Sequence, residues 1–214
     1  MALRAFRSNP GLGGFGGESS SVAIDEQDCD AFAQIVKELV DNAVDACSAS
    51  SSRSSSTEAK RVRVTIERVN EDKTSDDDDS YLLEVTVTDN GSGMLSIQDC
   101  VEAFRTSKAQ GKDEEKTAGR YGIGLTLCLL HAQRLVPNHY ATITSATAKQ
   151  RHFVKASYVV DTEGDKVQCV KRERLPKNAS KESGTAVKLL IPVSSLDSEF
   201  SYFRICEPHE NFYS

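Results

Sequence analysis

The stretch "KELVDNAVDA" (residues 37–46) has the apolar spacing of a helix packed on a core, but its polar face is unusual. Glu38, Asn42 and Asp45 stand at positions i, i+4 and i+7, so they share one narrow arc of a helix. This arc carries two carboxylates and a carboxamide without a lysine or arginine, a set that suits a metal ion, an activated water and a charged ligand. A face that simply meets water is the commoner origin of such a stripe, and the stretch alone leaves both explanations open. The opposite arc is predicted to face the core and comprises Phe32, Val36, Leu39, Val40, Ala43, Val44 and Cys47.

The length, net charge and cysteine spacing of the whole chain limit the functions that this helix can have. Its 214 residues are enough for one substantial domain with a single core. A net charge of -6 does not indicate nucleic-acid affinity for the chain as a whole, so DNA contact would need a local basic patch or a neighbouring domain. No apolar run has membrane-spanning length and no secretory signal is evident, so we expect no membrane association. The six cysteines form no C-x-x-C pair, and Cys47 and Cys128 are predicted to be small buried residues, which favours a reducing compartment.

Hydrophobic periodicity predicts an α+β fold. A first helix near 29–47 precedes two strands, in which Val62, Val64 and Ile66 and then Leu83, Val85 and Val87 face inward. A short helix, a polar glycine-bearing segment and an apolar helix follow, and four strand candidates complete the chain at 139–147, 152–161, 166–175 and 185–193. This order predicts a two-layer sandwich, with helices on one face of a mixed, mostly antiparallel sheet. We expect an arm over residues 1–20, a domain over 21–195 with disordered loops near 48–60 and 70–80, and a tail over 196–214.

Three glycine-bearing stretches interrupt this pattern. In "DNGSGM", Asp89 ends a strand, and Gly91 and Gly93 let the backbone approach a flat ligand. The Asp89 carboxylate can accept from such a ligand, and an adenine amino group is one suitable donor. A plain turn is the alternative, and the stretch alone favours it. In "GRYGIGL" (residues 119–125), glycines free backbone N–H groups at a helix N-terminus, where phosphate binds. No strand leads into this loop and it lacks G-K-[ST], so neither a Rossmann fingerprint nor a P-loop is indicated. The third stretch is Gly184–Thr185 at the start of a late strand.

Taken together, these pieces resemble the motifs of the Bergerat-fold (GHKL) ATPases: E-x-x-x-N-x-x-D-A, D-x-G-x-G, G-x-x-G-x-G and G-T, in this order. Within that superfamily the chain is most similar to the B-type component of type IIB DNA topoisomerase, topoisomerase VI, and to its meiotic relatives. In this chain "KELVDNAVDA" resembles that family's first ATP motif, and "FRSNPGLGGF" resembles its N-terminal strap. The stretch "TSK", followed by "GRYGIGL", resembles its lid and phosphate loop.

The resemblance implies a role for each matching residue. Glu38 would be the general base for the attacking water, Asn42 would hold Mg²⁺, and Asp45 would support that shell or the water network. Asp89 would accept from the adenine amino group, Gly91 and Gly93 would make room for the base, and Thr185 would reach the adenine side. The ATP phosphates would be held by Ser107, Lys108 and the loop residues Gly119, Arg120, Tyr121, Gly122, Ile123, Gly124 and Leu125.

In that family, ATP orders the lid and strap and closes two B-type components into a clamp around DNA, while an A-type component or a meiotic break-forming nuclease cuts the strands. The resemblance therefore implies ATP and Mg²⁺ as cofactors, a homodimer on ATP binding, DNA contact through the full assembly, and a nuclear location in a eukaryote or a cytoplasmic one otherwise. In that family a transducer domain follows, whose lysine contacts the γ-phosphate, and we expect that lysine to be absent from these 214 residues. We expect ATP binding with weak hydrolysis by this chain.

Two alternatives remain open. The first is another GHKL ATPase, such as a chaperone-like or kinase domain. A kinase would need a phosphoacceptor histidine region, which none of the four histidines indicates, and the strap-like N-terminal segment also disfavours this alternative. The second is a catalytically silent GHKL scaffold within a DNA-break complex. The intact Glu38 favours a working ATPase.

Overall fold

A computed structural model describes residues 24–51, 59–69, 81–102, 123–137, 139–161, 163, 166–178 and 182–193. Within these ranges the chain forms three helices, namely α1 (Ile24–Ser51), α2 (Ile97–Val101) and α3 (Gly124–Leu135). It also forms six strands, namely β1 (Val62–Val69), β2 (Tyr81–Asp89), β3 (Ala141–Ala146), β4 (Phe153–Asp161), β5 (Lys166–Leu175) and β6 (Gly184–Val193).

The six strands form one sheet in the order β1-β2-β6-β3-β4-β5. Every pairing between the described strands is antiparallel. The last strand in sequence, β6, lies between β2 and β3 and therefore joins the two halves of the sheet. The end of β2, the start of β6 and the end of β3 therefore lie side by side at the same end of the sheet. There Asp89 pairs with Thr185, and Thr185 pairs with Ser145.

One face of the sheet carries the core. Inward strand residues such as Val85, Ile143 and Leu189 are buried together with Ile35 and Leu39 of α1 and with Leu129 of α3. The opposite face is polar, as the ion pair between Glu84 on β2 and Lys188 on β6 illustrates. The predicted α+β sandwich with helices on one face is confirmed, and the sheet among the described strands is fully antiparallel.

Helix α1 is longer than the predicted span of 29–47. It extends into a stretch whose composition predicts a loop, and there the Ser48 hydroxyl finds its acceptor within the helix, the Val44 carbonyl at 2.9 Å. The loop predicted near 48–60 therefore begins later than expected. Four predicted segments lie outside the described residues: residues 52–58 of this loop, the second loop near 70–80, the arm over 1–20 and the tail over 196–214.

Two inward predictions are wrong. Val44 is 48% exposed because the buried stripe of α1 follows Ile35, Leu39, Ala43 and Cys47, and Val44 lies beside it. Val64 is 40% exposed because β1 is the edge strand, which the helices cover only in part. The inward positions of β2 are confirmed: Leu83, Val85 and Val87 are buried.

Cys47 and Cys128 are buried, as predicted. None of the described helices is long and apolar enough to cross a membrane.

Candidate functional site

The acidic stripe of α1 is organised around Glu38. The side-chain amide of Gln34, one turn earlier, donates to Glu38 Oε1 at 3.0 Å, and Asn42 Nδ2 donates to the Glu38 backbone carbonyl at 2.8 Å. Because Asn42 uses its NH₂ group on the helix, its carboxamide oxygen is the atom left for a ligand. Lys37 and Asp41 form a separate ion pair on the same helix at 2.8 Å. Asp41 is thus the ion-pair partner of this lysine, and the charge of Glu38 contributes less to the raised pKa of Lys37 than Asp41 does.

The Glu38 side chain lies against the first residue of α3. A Cβ atom at Gly124 would overlap Glu38 Oε2, so this close approach requires glycine. The carboxylate is also near the buried Cys128, whose thiol pKa is raised by burial and then by the charge of Glu38. The carboxylate therefore stands at the helix N-terminus that the "GIGL" motif begins.

The N-cap residue of α3 is Ile123, which carries no polar side-chain atom and so makes no capping hydrogen bond through its side chain. The N–H groups of a first helical turn have no partner within the helix, and the helix dipole makes this end attractive to anions. Gly124 and Leu125 supply such N–H groups, and Gly124 lies directly beside Glu38. Ser107, Lys108, Gly119, Arg120, Tyr121 and Gly122 lie outside the described residues.

Asp89 occupies the opposite end of the site, at the last position of β2, and is only 7% exposed. Its Oδ1 accepts from the backbone N–H of Gly91 at 2.7 Å, and the carboxylate also accepts from the backbone N–H of Thr185. Burial raises the pKa of Asp89 to about 6, and these two hydrogen bonds oppose the shift. Asp89 is therefore a buried acceptor that a suitable donor would stabilise in its charged form.

The turn after Asp89 joins this acceptor to α1. The backbone N–H of Ser92 donates to the Ala46 carbonyl at 3.0 Å, and a Cβ at Gly91 would lie 2.5 Å from the Ala46 carbonyl carbon. Gly93 has φ 68, a left-handed conformation that favours glycine, and lies against the Ala146 carbonyl. Ala46 follows Glu38 by eight residues (46 − 38 = 8), or about 12 Å along a helix. One helix therefore carries Glu38 at one end of the site and supports the Asp89 turn at the other.

The start of β6 completes the Asp89 end. Thr185 is 7% exposed, and its hydroxyl lies 3.0 Å from the hydroxyl of Ser145 on β3. Ser183 donates to the Gly91 carbonyl at 2.8 Å and so attaches the same segment to the glycine turn. Asn90 binds the chain ahead of β1 through the Arg61 N–H at 2.8 Å and the Ala59 carbonyl at 2.9 Å.

Sequence reasoning missed Ser145, Gln34, Ser183 and Asn90. Ser145 shares the inward positions of β3 with Ala141 and Ile143, so a polar residue at a core position was its signal. Gln34 stands four residues before Glu38 and extends the polar stripe by one turn. Asn90 belongs to the glycine turn, but its bonds to the segment before β1 depend on tertiary pairing. Asp45, for which the resemblance implies support of the metal shell, is half-buried on α1 near the same face.

A divalent cation would have few protein ligands here. Among the described residues no three His, Cys, Asp or Glu side chains come together as a metal site. The Asn42 carboxamide oxygen, an oxygen ligand of the kind Mg²⁺ prefers, is oriented away from its helix-bound NH₂ group. This donor set fits a Mg²⁺ ion that takes its remaining ligands from water and phosphate.

The site thus has two ends that α1 connects. At one end the half-buried Glu38 carboxylate lies at the N-terminus of α3, and at the other the buried Asp89 precedes a glycine turn. Residues 27–195 match the profile of the histidine kinase-, DNA gyrase B- and HSP90-like ATPases. The chain belongs to this family, and its fold is that of a GHKL-type ATPase domain.

Within that class, solved structures of topoisomerase ATPase regions are similar to this chain. The ATPase and transducer domains of DNA topoisomerase II from Balamuthia mandrillaris give a TM-score of 0.56 at 13% identity, over 92% of this chain and 49% of that chain. The ATPase region of Saccharomyces cerevisiae topoisomerase II gives 0.56 at 15% identity, over 92% of this chain and 50% of that chain. This chain therefore spans about half the length of those solved chains. No curated protein matches the sequence.

Proposed function

We propose that this chain binds ATP with Mg²⁺ and hydrolyses it, with Glu38 as the general base. The observation that carries the proposal is the contact between the Glu38 carboxylate and Gly124 at the N-terminus of α3. A phosphate chain bound at that N-terminus has its far end beside a carboxylate, which is the arrangement that activation of a water nucleophile needs.

The residues of α1 divide the work at the phosphate end. Gln34 holds one oxygen of Glu38 and thereby fixes the carboxylate, while the second oxygen faces the start of α3. Asn42, one turn later, offers its carboxamide oxygen to the cation. Mg²⁺ supplies charge neutralisation across the phosphates when bound. Asp45 supports the water network around Asn42, and Ser107, Lys108 and the loop 119–125 hold the phosphates.

The adenine end depends on Asp89. Its carboxylate accepts from the exocyclic amino group, and the gain is large because the acceptor is buried. Gly91 and Gly93 have no side chains, so the adenine ring can approach the backbone of the turn. Thr185 adds a hydroxyl on the neighbouring strand. Glu38 and Ala46, which supports the turn after Asp89, lie about 12 Å apart along α1, a spacing that fits an elongated ligand with a base at one end and phosphates at the other.

We further propose that the domain belongs to a protein of the topoisomerase VI type, as a relative of its ATP-binding, B-type component. Support comes from the wording of the first ATP motif and the strap-like "FRSNPGLGGF" segment. In this proposal ATP closes a homodimeric clamp, and an A-type component or a meiotic break-forming nuclease acts on the DNA that the assembly holds. The protein works in the nucleus if its source is eukaryotic and in the cytoplasm otherwise.

The test compares wild type with Glu38→Gln and Asp89→Ala, using isothermal titration of a non-hydrolysable ATP analogue with Mg²⁺ and a phosphate-release assay. Glu38→Gln keeps the shape and the Gln34 contact, so we expect binding within about threefold of wild type and turnover lowered by roughly 100-fold or more. Asp89→Ala is expected to lose measurable binding. Wild type that neither binds nor turns over ATP would contradict the proposal and favour a silent scaffold. Binding without turnover by wild type would restrict the proposal to nucleotide binding.

A further inference from the structure

The hydroxyl of Ser145 is the centre of a buried polar cluster that none of the motifs contains. Ser145 is 1% exposed on β3, and its Oγ has three polar neighbours. It accepts from the backbone N–H of Met94 at 2.8 Å, donates to the Gly184 carbonyl at 3.0 Å, and lies 3.0 Å from Thr185 Oγ1. It thus connects the turn after Asp89 to the first residues of β6.

The three contacts are compatible with only one direction of each hydrogen bond. A hydroxyl has one proton to donate and lone pairs with which to accept. The Met94 amide can only donate to Ser145, and the Gly184 carbonyl can only accept from it. The single proton of Ser145 is therefore committed to Gly184, so the Thr185 hydroxyl donates to Ser145.

This assignment fixes what Thr185 offers to a ligand. Its proton is used by Ser145, so only lone pairs remain on Thr185 Oγ1. Asp89, which pairs with Thr185 across the two strands, also accepts through its carboxylate. The side chains of Asp89 and Thr185 together form an edge of acceptors, and an edge of this kind binds N–H donors and repels carbonyl oxygens.

We propose that Ser145 is a positioning residue that sets base specificity by holding the Thr185 hydroxyl as an acceptor. The inference rests on the proposed nucleotide binding and deepens it. Ser145 itself touches no ligand, because its three polar contacts are all to protein groups. Without Ser145, the Thr185 hydroxyl can rotate and donate its proton into the site, so a 6-oxo purine is disfavoured less strongly there, by Asp89 alone.

The experiment measures the affinities of non-hydrolysable ATP and inosine triphosphate (ITP) analogues, each with Mg²⁺, for wild type, Ser145→Ala, Thr185→Val and the double variant. ITP carries a 6-oxo group where ATP carries an amino group. We expect wild type to prefer the ATP analogue, and Ser145→Ala to narrow that preference by roughly tenfold. Introduced into Thr185→Val, which has no hydroxyl to reorient, Ser145→Ala is expected to change the preference by less than about twofold. This coupling is the readout that a merely structural loss would not produce.

Thr142→Val is the matched control, because Thr142 lies on the same strand and its hydroxyl contacts Ser157 at 3.2 Å, remote from the start of β6. It is expected to keep the wild-type preference. If Ser145→Ala does not fold, Ser145→Cys keeps a similar shape, but its sulfur is a much weaker acceptor for the Thr185 proton, so the preference is expected to narrow in the same direction.

Three outcomes overturn the inference while wild type still binds ATP. They are an unchanged preference in Ser145→Ala, a change that persists in the Thr185→Val background, and an equal change in Thr142→Val. Wild type that binds neither analogue would instead overturn the proposed function, and the inference with it.

Discussion

At the scale of single residues, the two carboxylates of the site lie in different surroundings. Glu38 is half-buried and receives a hydrogen bond from the neutral amide of Gln34. Asp89 is buried, and its two backbone donors do not compensate for the loss of water, so its pKa rises to about 6. Asp89 is thus the more deeply buried of the two carboxylates, which fits the proposal that Glu38 works on water and Asp89 recognises a base.

The raised pKa of Asp89 predicts how nucleotide affinity depends on pH. The base needs the charged carboxylate as an acceptor, so affinity for the ATP analogue is expected to fall as pH drops through 6, by at most about tenfold per pH unit. Isothermal titration between pH 5 and pH 8 measures this dependence. Asp89→Asn is the control, since protonation of the phosphates affects both proteins equally. A wild-type curve parallel to that of Asp89→Asn would contradict the assignment.

Stability without ligand is expected to change in the opposite direction. The folded pKa of Asp89 lies above its ordinary value of 3.8, so the folded protein binds this proton more tightly than the unfolded chain. The stabilisation is fully present below about pH 4 and is lost as pH rises through 6, by up to ~3 kcal/mol. Urea unfolding of wild type and Asp89→Asn across this window isolates the contribution of this group.

At the scale of elements, α3 and α1 meet through a glycine and a carboxylate. We predict that Gly124→Ala lowers ATP turnover by more than about tenfold, because the added Cβ displaces Glu38 Oε2. Fold stability is expected to stay within ~1 kcal/mol of wild type, since the tip of a side chain can move away and alanine favours a helix. Phosphate release and urea unfolding measure the two effects.

Gly91→Ala provides the contrast. Its Cβ would meet the backbone of Ala46, which cannot move without shifting α1, so we expect a loss of ~2 kcal/mol or more in the free energy of unfolding.

For the Gly124→Ala prediction, ATP turnover equal to that of wild type would contradict the placement of Glu38 at the reacting phosphate.

Elements with strong periodicity were predictable from the sequence, and their pairing was not. The alternation around Val85 and the apolar run of α3 identified a strand and a helix, because burial leaves a local period. Val64 shares that alternation, but its exposure depends on the edge position of β1, which is decided by strands more than one hundred residues later. The motifs predicted Glu38 and Asp89 as site residues, and their roles stay predictions. The contact of Ser145 with Thr185 depends on the β3–β6 register and has no local signal.

At the scale of the whole molecule, the proposed function requires a change of oligomeric state. We predict that the chain is a monomer alone and a dimer with Mg²⁺ and a non-hydrolysable ATP analogue, because in the proposed clamp the segment 1–20 crosses to the partner copy. Light scattering coupled to size-exclusion chromatography measures the mass. A chain without residues 1–20 is expected to bind the analogue and to remain a monomer.

Asp89→Ala serves as the second control for dimer formation, since it keeps the arm but loses the nucleotide. Dimers that form equally without nucleotide, or without residues 1–20, would contradict the clamp.

The central place of β6 has a consequence for biosynthesis. A ribosome releases β1 to β5 before the strand that joins their two halves, so a nascent chain shorter than about 193 residues has neither a continuous sheet nor Thr185 beside Asp89. Until then the apolar faces of both halves stay open to chaperones and to aggregation. Nucleotide capture should therefore begin abruptly, when the final strand leaves the exit tunnel.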